Sequence, residues 1–192
     1  MRANILRRSL LLGAVASVAG CATVTRLRQG LEFSVVNERL IVRGEVSIRT
    51  PTAFADVMDQ NPQVSVVVLQ QMKSVTNVRA VLEIGRMIRE RGVNVALQSD
   101  SDIHAEAVFL FMAGVERSMV AGAQIGLGRW IERDFSRSPD FGGIREYSVE
   151  MLGSDAFYLF ALRKGPSDGI YVMTEDEIAQ FGLLTAPVQR FE

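Results

Sequence analysis

The side chains best suited to chemistry in this sequence lie between residues 99 and 106. His104 is the only imidazole of the chain, and an imidazole can accept and return a proton near neutral pH. Groups that could act with it stand close by, namely the carboxylates Asp100, Asp102 and Glu106 and the hydroxyls Ser99 and Ser101. If residues 101 and 104 meet across one helical turn, they could form a base and a nucleophile for hydrolysis, oriented by a carboxylate.

The same residues have a structural interpretation. Residues 99–102 form a polar break between a short apolar run and the almost wholly apolar residues 103–114, which we expect to be a buried helix. Asp102 would then cap this helix, Glu106 would favour its positive end, and His104 would form a local hydrogen bond. Because no glycine-rich loop supplies N–H groups for an oxyanion, the structural interpretation is favoured.

Lys73 and Ser74 form a second pair with chemical potential, since a serine beside a lysine can form a catalytic dyad. An active lysine must be desolvated to lose its proton. Gln70 and Gln71 come just before this pair, so we expect the loop to be exposed to water and the pair to be inactive.

Composition excludes several classes of function. A chain of 192 residues suits one domain with a sizeable core. The formal charge of −1 gives no indication of nucleic-acid binding. One cysteine and one histidine exclude a disulfide framework and a Cys/His zinc site. We therefore expect no metal ion, no cofactor and no nucleic-acid partner.

The N-terminus has the pattern of an export sequence. The positive head consists of Arg2, Arg7 and Arg8. The apolar segment that follows, residues 9–19, is too short to serve as a permanent transmembrane helix. The segment ends in Val-Ala-Gly-Cys, which resembles a bacterial lipobox and implies a lipid on Cys21. An ordinary secretory signal with a chance cysteine, or a buried cytosolic cysteine, is the alternative. The arginine pair also resembles a twin-arginine pattern, so the export route stays open.

This interpretation divides the chain into a signal peptide at residues 1–20, a tether at 21–30 and a domain at 31–192. The protein would be exported and held in the bacterial envelope, facing the periplasm, by the lipid on Cys21. Ala22 stands where an aspartate is associated with retention at the inner membrane, so the outer membrane is favoured.

Apolar periodicity and turn residues predict alternating strands and helices. Strands are predicted over residues 31–36, 39–42, 64–69, 93–98, 117–121, 124–127 and 170–173. Helices are predicted from an N-cap at Thr50 to the stop at Asn61 and Pro62, over residues 78–88 with Gly92 beyond the end, over 103–114, over 144–162, and from a Thr174–Glu177 capping box to Gly182. This order indicates right-handed crossovers and a mainly parallel sheet in one α/β domain.

From about residue 33 to 185, the order of elements resembles the Clp protease/crotonase superfamily, and most closely exported bacterial proteins that are similar to the proteolytic subunit of Clp protease. The pieces that carry the resemblance are LIVRGEV at 40–46, VVVL at 66–69, IGRMIR at 84–89, FMAGVER at 111–117, AQIGL at 123–127, and YVMT at 171–174 with FGL at 181–183. The resemblance implies a single-domain spiral of βαβ units.

The resemblance also implies where a reaction centre would lie, and the chain departs from it at each place. The glycine-rich oxyanion loop is replaced by residues 70–75, which include Ser74 and no glycine. The place of the nucleophilic serine falls on Ala105, and the place of the histidine base falls on Gly128. Because such groups act as a unit, we expect hydrolase shape without hydrolase chemistry.

Three classes of function follow. The favoured one is a membrane-anchored, non-catalytic domain that binds a peptide, an envelope protein or its own copies, since members of this superfamily often assemble into rings or trimers. The second is a weak or atypical serine peptidase that uses His104 with Ser99 or Ser101. The third is an acyl-binding protein of the crotonase type, which export would separate from coenzyme A.

Overall fold

Eight strands in the described part of the chain form one mixed β-sheet. The computed structural model describes residues 23–26, 31–73, 75, 77–128 and 142–191. The strands are β1 (Thr23–Arg26), β2 (Glu32–Val36), β3 (Arg39–Arg43), β4 (Val66–Met72), β5 (Asn94–His104), β6 (Arg117–Met119), β7 (Gln124–Leu127) and β8 (Tyr171–Val172). Their order is β1-β2-β3-β4-β5-β7-β8, and β6 also pairs with β5.

The pairing from β3 to β7 is parallel, whereas β1–β2, β2–β3 and β7–β8 are antiparallel. The predicted α/β class with a mainly parallel sheet is therefore confirmed. The described helices are α1 (Thr50–Gln60), α2 (Val78–Glu90), α3 (Val108–Met112), α4 (Gly142–Leu152), α5 (Ala156–Lys164) and α6 (Glu175–Gln180), and a 3₁₀ turn, Ala105–Ala107, precedes α3. None of these helices is long and apolar enough to cross a bilayer.

Strand β4 is covered on both faces, as its β-branched run predicts. Val67, Val68 and Leu69 point to alternate faces of the sheet, and all three are almost completely buried. The neighbouring helix α2 begins where the side chain of Asn77 accepts a hydrogen bond from the Ala80 amide, and Gly92 follows its end with a φ of 68°. Because β4 and β5, which precede and follow this helix in the chain, pair in parallel, the carboxyl end of β4 lies beside that of β5.

Helix α3 is wholly buried, and charged side chains close its C-terminal end. Arg89 of α2 donates to the carbonyl oxygens of Ala113 and Met112 at 2.8 and 3.0 Å. Arg117 of β6 donates to the Gly114 carbonyl at 2.8 Å. Positive groups at a helix C-terminus satisfy its last carbonyls and complement its dipole, so these two arginines fix the position of α3.

The predicted helix over residues 103–114 is wrong in its first half. The polar residues 99–102 do not break the strand, and β5 continues to His104. Asp102 and Ile103 pair with Gln71 and Met72 of β4, so ladder hydrogen bonds override the local preference for a cap. Asp102 is therefore not a helix cap, and His104 does not lie on a helical turn.

Three further boundaries differ from the predictions. Residues 23–26 of the predicted tether form β1, which pairs with β2 and extends the sheet. The predicted helix over 144–162 is two helices, because Gly153 adopts a φ of 76° and ends α4. Helix α1 takes Arg49 as its N-cap, whereas Thr50 is its first residue and its hydroxyl accepts from the Ser47 amide at 2.9 Å.

Candidate functional site

A lysine, an aspartate and the histidine meet at the carboxyl ends of β4 and β5, the edge where parallel sheets place their ligands. The Lys73 Nζ atom lies 2.6 Å from Oδ2 of Asp102, and Nε2 of His104 lies 2.6 Å from Oδ1 of the same carboxylate. The contact with the imidazole is short, but no hydrogen bond of normal angle reaches Oδ1 from the described residues. Of the three carboxylates considered as partners of His104 in the sequence, the structure brings Asp102 into contact with its imidazole.

The charge of Asp102 is maintained by its neighbours. Burial by itself raises the pKa of this carboxyl, but the hydrogen bond from Lys73 and the contacts with His104 outweigh that effect and hold the pKa below its ordinary value. The side chains of Asp102 and His104 are 18% and 14% exposed, whereas that of Lys73 is 57% exposed. Asp102 thus remains an anion between two basic groups, one inside the fold and one at the surface.

Ser101 has a structural role that sequence reasoning missed. Its hydroxyl donates to the Leu69 carbonyl at 2.6 Å and accepts from the Gln98 amide at 2.8 Å. Between the pairs Leu69–Leu97 and Gln71–Asp102, β4 advances by two residues and β5 by five, so β5 bulges here. The hydroxyl closes this bulge, so it is engaged with Leu69 and Gln98 and not with His104, as the catalytic alternative would require.

Ser99 lies on the outer side of the same bulge. It is exposed, and its carbonyl oxygen lies 3.0 Å from the position that a Cβ on Gly122 would occupy. Gly122 has a φ of 99°, a conformation that glycine adopts without strain. The bulge therefore packs against the turn before β7, and the structure does not bring Ser99 into a pair with His104.

Ala105 and Gly128, the places that the resemblance gives to a nucleophile and a base, face each other. A Cβ built on Gly128 would lie 3.5 Å from the Ala105 Cβ. Ala105 also has a φ of 50°, which is rare for a residue with a side chain. The two residues that the resemblance assigns to a nucleophile and a base thus lie next to each other, but neither carries a group that could attack or accept a proton.

Ile170 packs against this pair of positions. Its Cδ1 lies 3.3 Å from the position of a Cβ on Gly128, and its Cγ2 lies 2.5 Å from that of a Cβ on Gly126. The same point at Gly126 is 2.7 Å from Cδ2 of His104. The absence of side chains at residues 126 and 128 therefore leaves room for both the isoleucine and the imidazole.

The residues that replace a glycine-rich loop are engaged in the sheet and with its polar edge. Gln70 is buried, accepts a hydrogen bond from Arg43 and donates to the Asp100 carboxylate at 3.4 Å. Gln71 donates to the main-chain carbonyl of Asp100. Both glutamines belong to β4, so the predicted wet loop begins only after Met72.

The described residues contain no cluster of three or more His, Cys, Asp or Glu side chains that could hold a metal ion. Cys21, the predicted lipid attachment site, and Ser74, one of the degenerate positions, both lie outside the described residues.

Comparisons with known proteins bear on the fold. No family model and no curated protein sequence matches this chain. Among solved structures, an enoyl-CoA hydratase/isomerase from Cupriavidus metallidurans CH34 matches with a TM-score of 0.55 and 13% identity, over 86% of this chain and 70% of that one. One from Thermobifida fusca YX, described as a putative enoyl-CoA hydratase in complex with acetoacetyl-CoA, matches with a TM-score of 0.55 and 15% identity, over 83% and 74% of the two chains.

An enoyl-CoA hydratase from Mycobacterium avium subsp. paratuberculosis K-10 is also similar, with a TM-score of 0.54 and 16% identity over 84% of this chain and 68% of that one. The chain has a crotonase-like fold. At these identities the likeness concerns the fold, and the site must be judged on its own residues.

Within the crotonase-like fold, sequence reasoning missed Gly126 and Ile170 as parts of the candidate site. A pattern that could have found Gly126 is its glycine inside a strand, which often marks a close approach of another group. Ile170 has no such signature, because its position depends on how the residues between α5 and β8 return across β7. The partner of Lys73 was also missed, since Asp102 was placed at a helix cap.

Proposed function

We propose that this chain is an exported lipoprotein, anchored through Cys21, whose crotonase-like domain resembles the Clp protease subunit and binds without catalysis. The ligand is a peptide segment, supplied by an envelope protein or by another copy of the chain. The face of the domain that contains Ala105 and Gly128 is the site of recognition.

The observation that carries this proposal is the position of Ala105 opposite Gly128. The resemblance assigns the attacking and proton-accepting groups to these two places, and a Cβ on Gly128 would lie only 3.5 Å from the Ala105 Cβ. A scaffold that has kept its shape and lost its reactive groups would have small residues at these two places, as Ala105 and Gly128 are. Two groups that act as a unit lose orders of magnitude in rate when either is removed.

The edge of β4 supports the same proposal. An oxyanion site needs N–H groups that approach the reacting atom without a Cβ in the way. Residues 70–73 carry four side chains instead, of which Gln70 and Lys73 are held by Asp100 and Asp102. The exposed side chains of Gln71, Lys73 and Asp100 make a polar rim suited to hydrogen bonds with a peptide.

The two other functions have less support. A serine peptidase needs a hydroxyl beside His104, but the Ser101 hydroxyl is engaged with Leu69 and Gln98. Acyl-CoA binding follows from the fold of the similar proteins alone, and the proposed export would separate the protein from that ligand. Both functions remain outcomes of the experiments below.

The absence of catalysis is tested with a fluorophosphonate probe, which reacts with activated serines. The full chain in detergent is incubated with the probe, beside the variant His104→Ala and a known serine hydrolase as positive control. We expect no labelling of either form of this protein. Labelling of the wild type that disappears in His104→Ala would establish the peptidase instead.

The anchor is tested by metabolic labelling with radioactive palmitate. We expect wild-type protein to be labelled and found in membranes, and the variant Cys21→Ser to be unlabelled and not processed at residue 20. Crosslinking of the lipidated protein in cells then reports whether the neighbour is an envelope protein or a second copy. Titration with acetyl-CoA provides the control for acyl binding, for which no saturation is expected.

A further inference from the structure

Ile170 fills a notch whose other sides consist of Ala105, Gly126, Gly128 and His104. We define the notch by these four residues. Gly126 and Gly128 have no side chain, and Ala105 has only a methyl group. The notch exists because these residues of β7, its end and the 3₁₀ turn leave the space between them empty of side chains. The imidazole of His104, held beside Asp102, forms the polar side.

Ile170 directly precedes β8, which runs antiparallel to β7. Gly126 pairs with Val172 and Leu127 with Tyr171, so continuation of this register brings Ile170 opposite Gly128. At the other end of the segment, Gly165 packs so closely against the Gly128 carbonyl that a Cβ there would overlap it. The two ends of the segment 165–170 thus both pack against Gly128.

The attachment of Ile170 is one-sided. Its inner face fills the notch, yet 40% of the residue is exposed, and Gly169 before it has a φ of 82°. An aliphatic side chain with this much exposed surface loses less burial on leaving its place than a core residue does. The chain itself therefore provides an example of a group that the notch accepts, namely a branched aliphatic side chain on the residue next to an antiparallel strand.

We propose that Ile170 closes the notch in cis, and that the open notch binds the branched aliphatic side chain of an extended peptide in place of Ile170. This inference rests on the proposed peptide-binding function and names the ligand class and the place. The neighbouring Lys73 and Asp102 would face the peptide backbone at the polar rim, and His104 would contact the bound side chain.

The test uses the full chain in detergent with histidine labelled with ¹³C, because His104 is the only histidine and reports directly from the notch. The probe is N-acetyl-isoleucine N-methylamide, and the glycine analogue is the matched control ligand. For Ile170→Ala we expect saturable shifts of the His104 resonances with a Kd at least ten-fold lower than for the wild type. Val172→Ala, which trims an exposed residue of β8 two positions later, is expected to behave as the wild type.

A second variant keeps the test independent of any change in fold. Gly128→Ala in the Ile170→Ala background places a methyl group inside the notch, and we expect it to abolish the response to the isoleucine probe. Equal affinity in Ile170→Ala and wild type, an equal response to the glycine analogue, or binding that survives Gly128→Ala would each overturn the inference. Capture of a peptide partner by crosslinking together with any of these results would contradict the notch but leave the proposed function intact.

Discussion

The guanidinium groups of Arg89 and Arg117 both donate to the carbonyl oxygen of Gly114, at 3.3 and 2.8 Å. Neither residue needs a carboxylate for this, because the carbonyl groups at the end of α3 carry the negative end of the helix dipole. Gly114 cannot be replaced easily, since a Cβ there would lie 2.7 Å from the Val95 amide nitrogen. This junction holds the C-terminal end of α3, the helix that follows the 3₁₀ turn beginning at Ala105.

Loss of Arg117 is therefore expected to destabilise the fold. Arg117 is 8% exposed and also donates to the carbonyls of Leu183 and Gly182. Burial, together with the charge of Arg89, lowers the pKa of this guanidinium, although it stays protonated. Arg117→Met should lower the free energy of unfolding by about 3 kcal/mol, because three carbonyls, those of the buried residues Gly114 and Leu183 and of the exposed Gly182, lose a charged donor.

Urea denaturation measures this change. Arg190→Met is the matched control, since the Arg190 side chain is 63% exposed and pairs with Glu175 at the surface; its effect should stay within about 0.5 kcal/mol. Equal effects of the two substitutions would contradict the role given to Arg117.

Asp102 should make stability depend on pH in the acid range. Its pKa in the folded state is lower than the ordinary value of 3.8. A lowered carboxyl pKa adds stability that is present above the unfolded-state pKa and is lost as the pH falls through the folded-state pKa. The stability advantage of wild type over Asp102→Asn should therefore shrink as the pH falls below about pH 4.

The measurement is urea unfolding of both proteins between pH 3 and pH 7. Glu177→Gln serves as the positive control. Glu177 lies in an exposed capping box, where hydrogen bonds from Tyr171 and Thr174 also lower the pKa of its carboxyl. A difference between wild type and Asp102→Asn that stays constant down to pH 3 would show that Asp102 is not held as an anion.

Replacement of Ala105 by glycine should stabilise the protein. At a φ of 50° a Cβ approaches the following carbonyl oxygen, and this costs about 1 kcal/mol for L-residues. We expect Ala105→Gly to raise the free energy of unfolding by up to about 1 kcal/mol. Ala107→Gly, two residues later and fully buried, should lower it by about 1 kcal/mol. Opposite signs in thermal or urea unfolding would support the strained backbone, and equal losses would contradict it.

Gly85 and Tyr147 should behave as a coupled pair. A Cβ on Gly85 would overlap the Tyr147 hydroxyl, which donates to the Phe109 carbonyl at 2.9 Å within the core. Gly85→Ala should therefore cost about 2 kcal/mol, and Tyr147→Phe about 1 kcal/mol. In a double-mutant cycle, Gly85→Ala should cost less in the Tyr147→Phe background, because removal of the hydroxyl makes room. Strict additivity would argue against the clash.

The alternation of elements could be predicted from the sequence because the apolar periodicity and the caps agree with the fold. The β-branched run 64–69 gave a strand buried on both faces, and the Thr174–Glu177 capping box is present with both of its hydrogen bonds. At these places local preference and tertiary packing favour the same structure.

The stretch 99–104 could not be predicted, because its conformation depends on a distant partner. Its serines and aspartates have the composition of a turn or a helix cap, whereas β4 offers a ladder that Asp102 and Ile103 complete. The Ser101 hydroxyl can bond to the Leu69 carbonyl only after the two strands have met. Asp102 was one of three nearby carboxylates considered as a partner of His104, and sequence alone could not choose among them. The neighbours Gly126 and Ile170 depend on the return of the chain across β7.

The first strand also constrains how the protein would meet a bilayer. Thr23 already pairs with Val35, and two residues can span at most about 7 Å. If Cys21 carries the acyl chains, the sheet begins close to the lipid headgroups, and no long linker separates the domain from the membrane. Because β1 and β8 form opposite edges of the sheet, β7 and β8 would then belong to the half of the sheet farther from the lipidated residue.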